Sequence, residues 1–254
     1  MTTTLIVLAH PDQRSFNGSW AAETRRASEA LGHNVILSDL VSMGFDPVEQ
    51  ASHYAENYEE IFDTLKAQET ASLRNQLSAD VAAEINKIRA ADRIIFHFPI
   101  WWFGPPAILK GWFDRVLTNG AVHNSKDRFD AGLCRGKKAL FCVSTGSTAV
   151  ESAFDGKEGD VQMLLWPLAY ALRYVGFTIL KPVIVHGVHG YHKGDAKQNL
   201  QIRLRKQLAD HQDVIANFDT LAEIPFNRDS EFNREGKLDK NAPSYSHFIR
   251  HNLE

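Results

Sequence analysis

The chain has 254 residues, 44% of them hydrophobic and 23% charged, with a formal net charge of −3. That is ordinary globular composition and length for one large domain, or for a domain with an extension. The mild acidity, with no dense Lys/Arg block, speaks against a nucleic-acid binder, and no apolar run approaches the ~20 residues of a membrane span.

The N-terminus passes from Met1 through three threonines into a short strand, without the layout of a signal peptide. A soluble, cytoplasmic protein is therefore expected. Leu5–Ala9 is a continuous apolar run, the pattern of a strand buried on both faces of a parallel sheet. His10 and Pro11 end it. Asn17 reads as the N-cap of a helix reaching about Leu31, with Gly32 as its stop. Residues 34–39 form a second short strand. From Val48 to about Gln76 the chain is charged, with scattered aromatics (Tyr54, Tyr58, Phe62), and reads as an inserted helical excursion. Ser78 can cap a helix through Ala91, and Arg93–Phe98 is the third strand.

Pro99 stops that strand, because proline cannot extend a central one. Three consecutive aromatics follow, Trp101, Trp102 and Phe103, and then Gly104, Pro105 and Pro106. Proline is tolerated in a first helical turn, and residues 107–116 have helical spacing. The reading is strand, aromatic elbow, helix. Three aromatics in a row on a turn cannot all face a core, so a flat ligand or a partner chain covers some of them; the plainer alternative is an aromatic loop in an ordinary core. Beyond it lie a polar loop (118–138), a fourth strand (139–143) ended by Ser144, Thr145, Gly146 and Ser147, and an amphipathic helix at about 161–175. Residues 177–186 form a fifth strand, and a helix follows at about 195–216. The two cysteines, Cys134 and Cys142, lack CxxC or zinc spacing, and Cys142 in its strand reads as a reduced core thiol.

Strands alternating with helices at this spacing define an α/β fold, a doubly wound parallel sheet. Five strands fit the flavodoxin-like order 2-1-3-4-5, in which ligands lie beyond the carboxyl ends of strands one and three. His10, Ser15 and Asn17, the elbow from Pro99 to Phe103, and Ser144 to Ser147 would meet there. The first strand–helix loop lacks GxGxxG and a Walker lysine, so a nicotinamide-type Rossmann site is not expected. It still ends at a helix N-terminus, which favours phosphate; simple capping by Asn17 is the plainer alternative. A phosphate-bearing aromatic cofactor between this loop and the elbow is a flavin.

Three stretches together resemble the NAD(P)H:quinone oxidoreductase (DT-diaphorase) family: residues 8–17, residues 98–116 and residues 144–147, with weaker likeness at Leu165–Leu168 and Val175–Phe177. The resemblance runs from residue 4 to about 216. It implies a flavodoxin-like homodimer with bound FAD that carries two electrons from NADH or NADPH to quinones in ping-pong order. Carried over by motif, His10, Ser15, Phe16 and Asn17 would hold the FAD pyrophosphate. Pro99, Ile100, Trp101, Trp102 and Phe103 would line the ring with Ser144, Thr145, Gly146 and Ser147. Lys197 falls where the family has an arginine near the adenine end. Two departures stand out. The tyrosine and histidine that assist hydride transfer in mammalian members fall on Ser152 and Glu158, so these are the candidate catalytic positions without the family's chemistry. Tyrosines of the substrate loop fall on His123 and Ser125, and a rim phenylalanine on Tyr174, so the substrate set is Trp102, Phe103, His123 and Tyr174. Alternatives are an FMN-dependent azo- or nitro-reductase, a regulatory flavoprotein subunit of a potassium-efflux system, and a one-electron carrier.

On this reading residues 1–216 form the flavin-binding domain and residues 217–254 a C-terminal extension. Its spaced aromatics (Phe226, Phe232, Tyr245, Phe248) suggest an arm packed on the dimer partner. His186, His189 and His192 sit on a glycine loop with no fixed ligand geometry, and residues 155–160 lack the rhythm of an EF-hand. No metal is expected.

Overall fold

The computed structural model describes residues 1–55 and 61–252; Tyr58, placed by the sequence in the inserted excursion, lies outside them. The element order is β1 (Thr3–Leu8), α1 (Phe16–Ala30), β2 (Asn34–Asp39), α2 (Thr64–Leu73), α3 (Ala79–Ala90), β3 (Arg93–Pro99) and α4 (Ala107–Val116). Then come β4 (Lys138–Ser144), α5 (Val161–Tyr174), β5 (Thr178–Ile179), β6 (Val183–Val185) and α6 (Gly194–Ala216). The sheet order is β2-β1-β3-β4-β5, with β6 also on β4, and every pairing between these strands is parallel. This is the flavodoxin-like order.

Alternation along the central strands divides the core into two layers. Ile94, Phe96 and Phe98 of β3, with Phe141 and Val143 of β4, point toward α3, α4 and α5. Ile95 of β3 and Leu140 and Cys142 of β4 point the other way, onto Trp20 of α1 and Ile215 of α6. Burying side chains of this size stabilises the fold by roughly 1.5–3 kcal/mol each. Gly111 on α4 is dictated by packing, since a Cβ there would stand 2.1 Å from the backbone oxygen of Pro47.

Four expectations need correction. The fifth strand is two short pieces, because Pro182 cannot donate to a ladder and the chain leaves β4 there: the Lys181 amide donates to Ala222 O at 2.8 Å instead. Ser15, not Asn17, caps α1, with Oγ accepting from the Gly18 amide at 3.1 Å. Pro99 is the last residue of β3, opposite Ser144, and its missing donor falls at the strand end where it costs little. The loop between α4 and β4 is less polar inside than its sequence suggests, since it buries Ala121, Val122 and Cys134. Both cysteines are free and buried. No helix among the described residues is long and apolar enough to cross a membrane.

The C-terminal extension runs back along α5 of its own chain. Phe226 packs on Trp166 and Tyr170, with ring centroids 5.0 and 5.9 Å apart, and Phe248 meets Tyr170 at 5.2 Å. Tyr245 and Phe248 keep large exposed surfaces.

Candidate active site

The carboxyl ends of β1, β3 and β4 converge, and each contributes a loop. The β3 loop is the elbow. Trp101 and Gly104 exchange two backbone hydrogen bonds, N–H of each to O of the other at 2.9 and 3.1 Å, closing a tight turn. Its central residues, Trp102 and Phe103, have φ of 48° and 61°. Both central positions at positive φ define the turn type that Asn and Gly favour, so two bulky aromatics there carry strain, of the kind that gathers at functional sites. The turn holds its rings outward: Trp102 is 96% exposed and Phe103 55%. His10, at the end of β1, lies with its ring 6.0 Å from Trp101.

The β4 loop is locked by hydroxyls. Ile100 donates its amide to Ser144 O at 2.8 Å, and Thr145 donates its amide to Val185 O at 3.0 Å. Thr145 Oγ1 lies 2.8 Å from Ser147 Oγ, which in turn contacts the buried Ser152 hydroxyl. A Cβ at Gly146 would meet no protein atom within 4 Å, so the space beside it is open to a ligand. The amides of Trp102, Phe103 and Gly146 donate to no group among the described residues. They are available to acceptors on a bound molecule.

The β1 loop ends at the α1 N-terminus. Asn17 is buried and its Nδ2 donates to Ser144 Oγ at 2.7 Å, while its Oδ1 has no partner. Turning the amide over lets the Ser144 hydroxyl donate to Oδ1 and frees Nδ2 toward an anion. The amides of Phe16 and Asn17 likewise have no acceptor among the described residues, and the helix dipole favours negative charge there. An orphaned buried amide, two free helix amides and an open glycine fit a phosphate-bearing cofactor with a polar ring edge.

A cavity of about 300 Å³ lies between the β3 and β4 loops and the start of α5, lined by Ile100, Trp102, Phe103, Thr145, Gly146, Ser147, Glu158, Val161 and Leu164. Glu158 is its one charged lining residue. It follows a turn tied by its own amide to Glu151 O at 2.9 Å. Ser152 sits beneath the same loop.

The structure does not bring every predicted residue here. His123 and Tyr174 line a second cavity, of about 290 Å³, with Leu117, Pro167, Tyr170, Ala171 and Val175. Their rings meet edge-on at 5.3 Å, and Phe129 stands 4.9 Å from Tyr174. Burial pushes the His123 imidazole below its ordinary value, which keeps it neutral at pH 7. The two cavities share no residue. They lie one after the other along α5: Val161 and Leu164 line the first, and the second begins at Pro167, about one helical turn further on. Lys197 lies exposed on the first turns of α6 and lines neither cavity. Tyr170, Phe129 and Leu164 were not singled out from the sequence; spacing along α5 alone does not separate a cavity-lining residue from a core one.

A parallel sheet in this order with an aromatic cavity beyond the carboxyl ends of β3 and β4 defines a flavodoxin-like protein, and a family model described as flavodoxin-like fold matches residues 2–208. Rat NAD(P)H dehydrogenase [quinone] 1 is 35% identical over 80% of this chain and 75% of its own length. Mouse ribosyldihydronicotinamide dehydrogenase [quinone] is 38% identical over 72% of this chain and 81% of its own. A solved structure assigned as a quinone reductase, from Klebsiella pneumoniae, superposes with a TM-score of 0.83 at 28% identity, covering 96% of this chain and 98% of its own. The chain belongs to the NAD(P)H:quinone oxidoreductase family.

Proposed function

We propose that the protein is a flavin-dependent oxidoreductase that passes two electrons from NADH or NADPH to quinones. The observation that carries this is the first cavity, where aromatic walls, free backbone amides and an open glycine meet beyond the carboxyl ends of β3 and β4. The relatives' names support the same reaction. FAD is the cofactor favoured by the family resemblance, which puts Lys197 near the adenine end, and Ser15, Phe16 and Asn17 offer an anion site for its phosphates at the α1 N-terminus.

The bound flavin would accept and return the hydride, and the protein positions and shields it. Trp102 and Phe103 would cover the ring face and shield it from water. The amides of Trp102, Phe103 and Gly146 would hold its polar edge, with Pro99, Ile100, Trp101, Ser144, Thr145 and Ser147 fixing their positions. Ser152 acts through Ser147 as a positioning residue. Glu158 reaches the cavity from an exposed turn. His123, neutral, and Tyr174 would form the rim. Donor and acceptor use the same cavity in turn, which gives ping-pong kinetics.

The second cavity shares no lining residue with the first, and the homodimer that the family resemblance implies would bring it to the site from another copy. We therefore infer a homodimer in which each active site joins the first cavity of one chain to the second cavity of its partner, with the arm's exposed Tyr245 and Phe248 at the contact. The test is purification followed by chromatographic identification of the extracted cofactor. About one FAD per chain and quinone-dependent NAD(P)H oxidation are expected. A colourless protein that takes up no added flavin overturns the reading.

A further inference from the structure

The side of the sheet covered by α1 and α6 carries a cluster that the proposed reaction leaves unused. Strand register sets His97 of β3 beside Cys142 of β4, and His211 of α6 packs down onto them. One ring nitrogen of each histidine and Cys142 Sγ all lie within 4.8 Å of one another. All three residues are fully enclosed. Thr24 of α1 joins them, with Oγ1 at 2.9 Å from His97 Nε2 and 2.7 Å from His211 Nε2. Trp20 seals the group edge-on, its ring 5.4 and 5.5 Å from the two imidazoles.

As a mere polar patch this cluster is poorly satisfied. Nδ1 of His97 and Nδ1 of His211 are buried without a partner, which is destabilising wherever no ligand or water takes them up. The Thr24 hydroxyl has two acceptor lone pairs, so it can take Nε2–H from both rings. That tautomer leaves a lone pair on each Nδ1, and an acceptor behind the ring is how outer groups orient metal-bound histidines.

We propose that His97, Cys142 and His211 bind one copper(I) ion through a nitrogen of each imidazole and the Cys142 thiolate. A thiolate with two imidazoles is a donor set that suits copper. Charge then decides between copper and zinc. No acidic or basic side chain forms an ion pair with any of the three among the described residues. A thiolate and a monovalent ion are neutral together, whereas a divalent ion leaves an uncompensated positive charge in a sealed core. Zinc also takes four ligands in closed sites, and three converge here. Binding breaks the Cys142 S–H bond, forms the S–Cu bond and releases the proton to solvent, with no change in oxidation state. The ion would tie α6 to β3 and β4 from behind the flavin cavity.

The test uses the flavin-loaded protein expressed in copper-supplemented medium and washed with the copper(I) chelator bicinchoninate under reducing conditions. Elemental mass spectrometry counts copper and zinc in wild type, Cys142→Ala and His211→Gln. About one copper per wild-type chain is expected, absent from Cys142→Ala and held at least ~10-fold less tightly by His211→Gln. Quinone reduction should be unchanged in both variants, since neither residue touches the cavity. A second measurement needs no variant: copper(I) added during refolding should raise the wild-type unfolding midpoint. Wild type that stays copper-free after refolding with copper(I), variants that retain copper as well as wild type, or zinc that displaces copper from the site would each overturn the proposal.

Discussion

Trp102 stands at φ 48° with its indole almost wholly in solvent, a position with nothing to gain from the core. A left-handed backbone costs a non-glycine residue about 1–2 kcal/mol, so the fold alone does not explain the tryptophan. Trp102→Gly should relieve part of that cost. The unfolding midpoint is expected to rise by ~2–4 °C, while quinone or flavin binding weakens by the stacking lost, ~0.5–1.5 kcal/mol. A variant that loses stability and keeps its quinone KM would place the ring in a structural role. Glu158 makes the opposite case. It lines the cavity, and a carboxylate ~6 Å from a ring gaining negative charge would oppose hydride uptake by roughly 2–3 kcal/mol at an effective dielectric near 20. Yet no side-chain hydrogen bond or ion pair holds it among the described residues, and it sits beside Gly159 at φ 77° on a turn. Glu158→Gln should leave flavin reduction by NAD(P)H within about threefold, under 1 kcal/mol of barrier, and stopped-flow traces at several pH values measure it. A tenfold change would give Glu158 a part in the chemistry. Both residues could be found by motif, but the positive φ of the elbow could not: nothing in the run of aromatics announces a turn that usually takes Asn and Gly.

At the scale of elements, one arginine ties together the two ends of the chain that flank the inserted segment. Arg115 of α4 is buried and donates from Nη1 to Asp80 Oδ2 at 2.7 Å and to Asp46 O at 2.6 Å, and from Nη2 to Ser78 Oγ at 3.0 Å. It thereby braces the start of α3, the end of α4 and the chain after β2. Removing one member of such a buried pair costs about 3–5 kcal/mol. Asp80 still reaches water, so Arg115→Met should fall near the lower end, about 3 kcal/mol, by urea denaturation. Desolvation pushes the Asp80 carboxyl up, but the hydrogen bonds from Ser78 and Arg115 outweigh it and hold the group below its ordinary value of 3.8. The folded state thus favours the ionised form. The brace contributes fully above the unfolded carboxyl pKa and is lost as pH falls below it through the folded value, so stability between pH 7 and 5 should not depend on this pair. Arg115→Met should flatten the loss seen below about pH 4. None of this brace was visible in the sequence, because its partners lie 35, 37 and 69 residues from Arg115. What was legible had local causes: the apolar runs gave β1, β3 and β4, and the Pro-Pro entry placed α4 from Ala107 to Val116. The misreadings were local competitions. Ser15 and Asn17 both cap well, and only the tertiary bond from Asn17 to Ser144 decides between them. The Pro182 break was available in the sequence, and the apolar residues on either side hid it.

For the whole molecule, the proposed pairing of cavities between two chains makes a prediction that a single chain cannot satisfy. If each active site joins the first cavity of one chain to the second cavity of its partner, damage to the two cavities should complement between subunits. A chain carrying Phe103→Ala, which strips the ring wall, and a chain carrying Tyr174→Ala, which empties the rim, should each be weakly active as homodimers. In a heterodimer of the two, one site combines both damaged halves and the other combines both intact halves. About half of the wild-type activity per heterodimer should therefore return, a gain that no contact between distant residues of one chain would give. Co-expression with two different affinity tags isolates the heterodimer, and the flavin content of each preparation separates lost cofactor from lost turnover. If both sites lay within single chains, the heterodimer would carry one defect at each site and show only the mean of the two homodimer activities. Sedimentation of a fully active monomer at micromolar concentration would defeat the inference more directly, and it would leave His123 and Tyr174 in a cavity separate from the flavin.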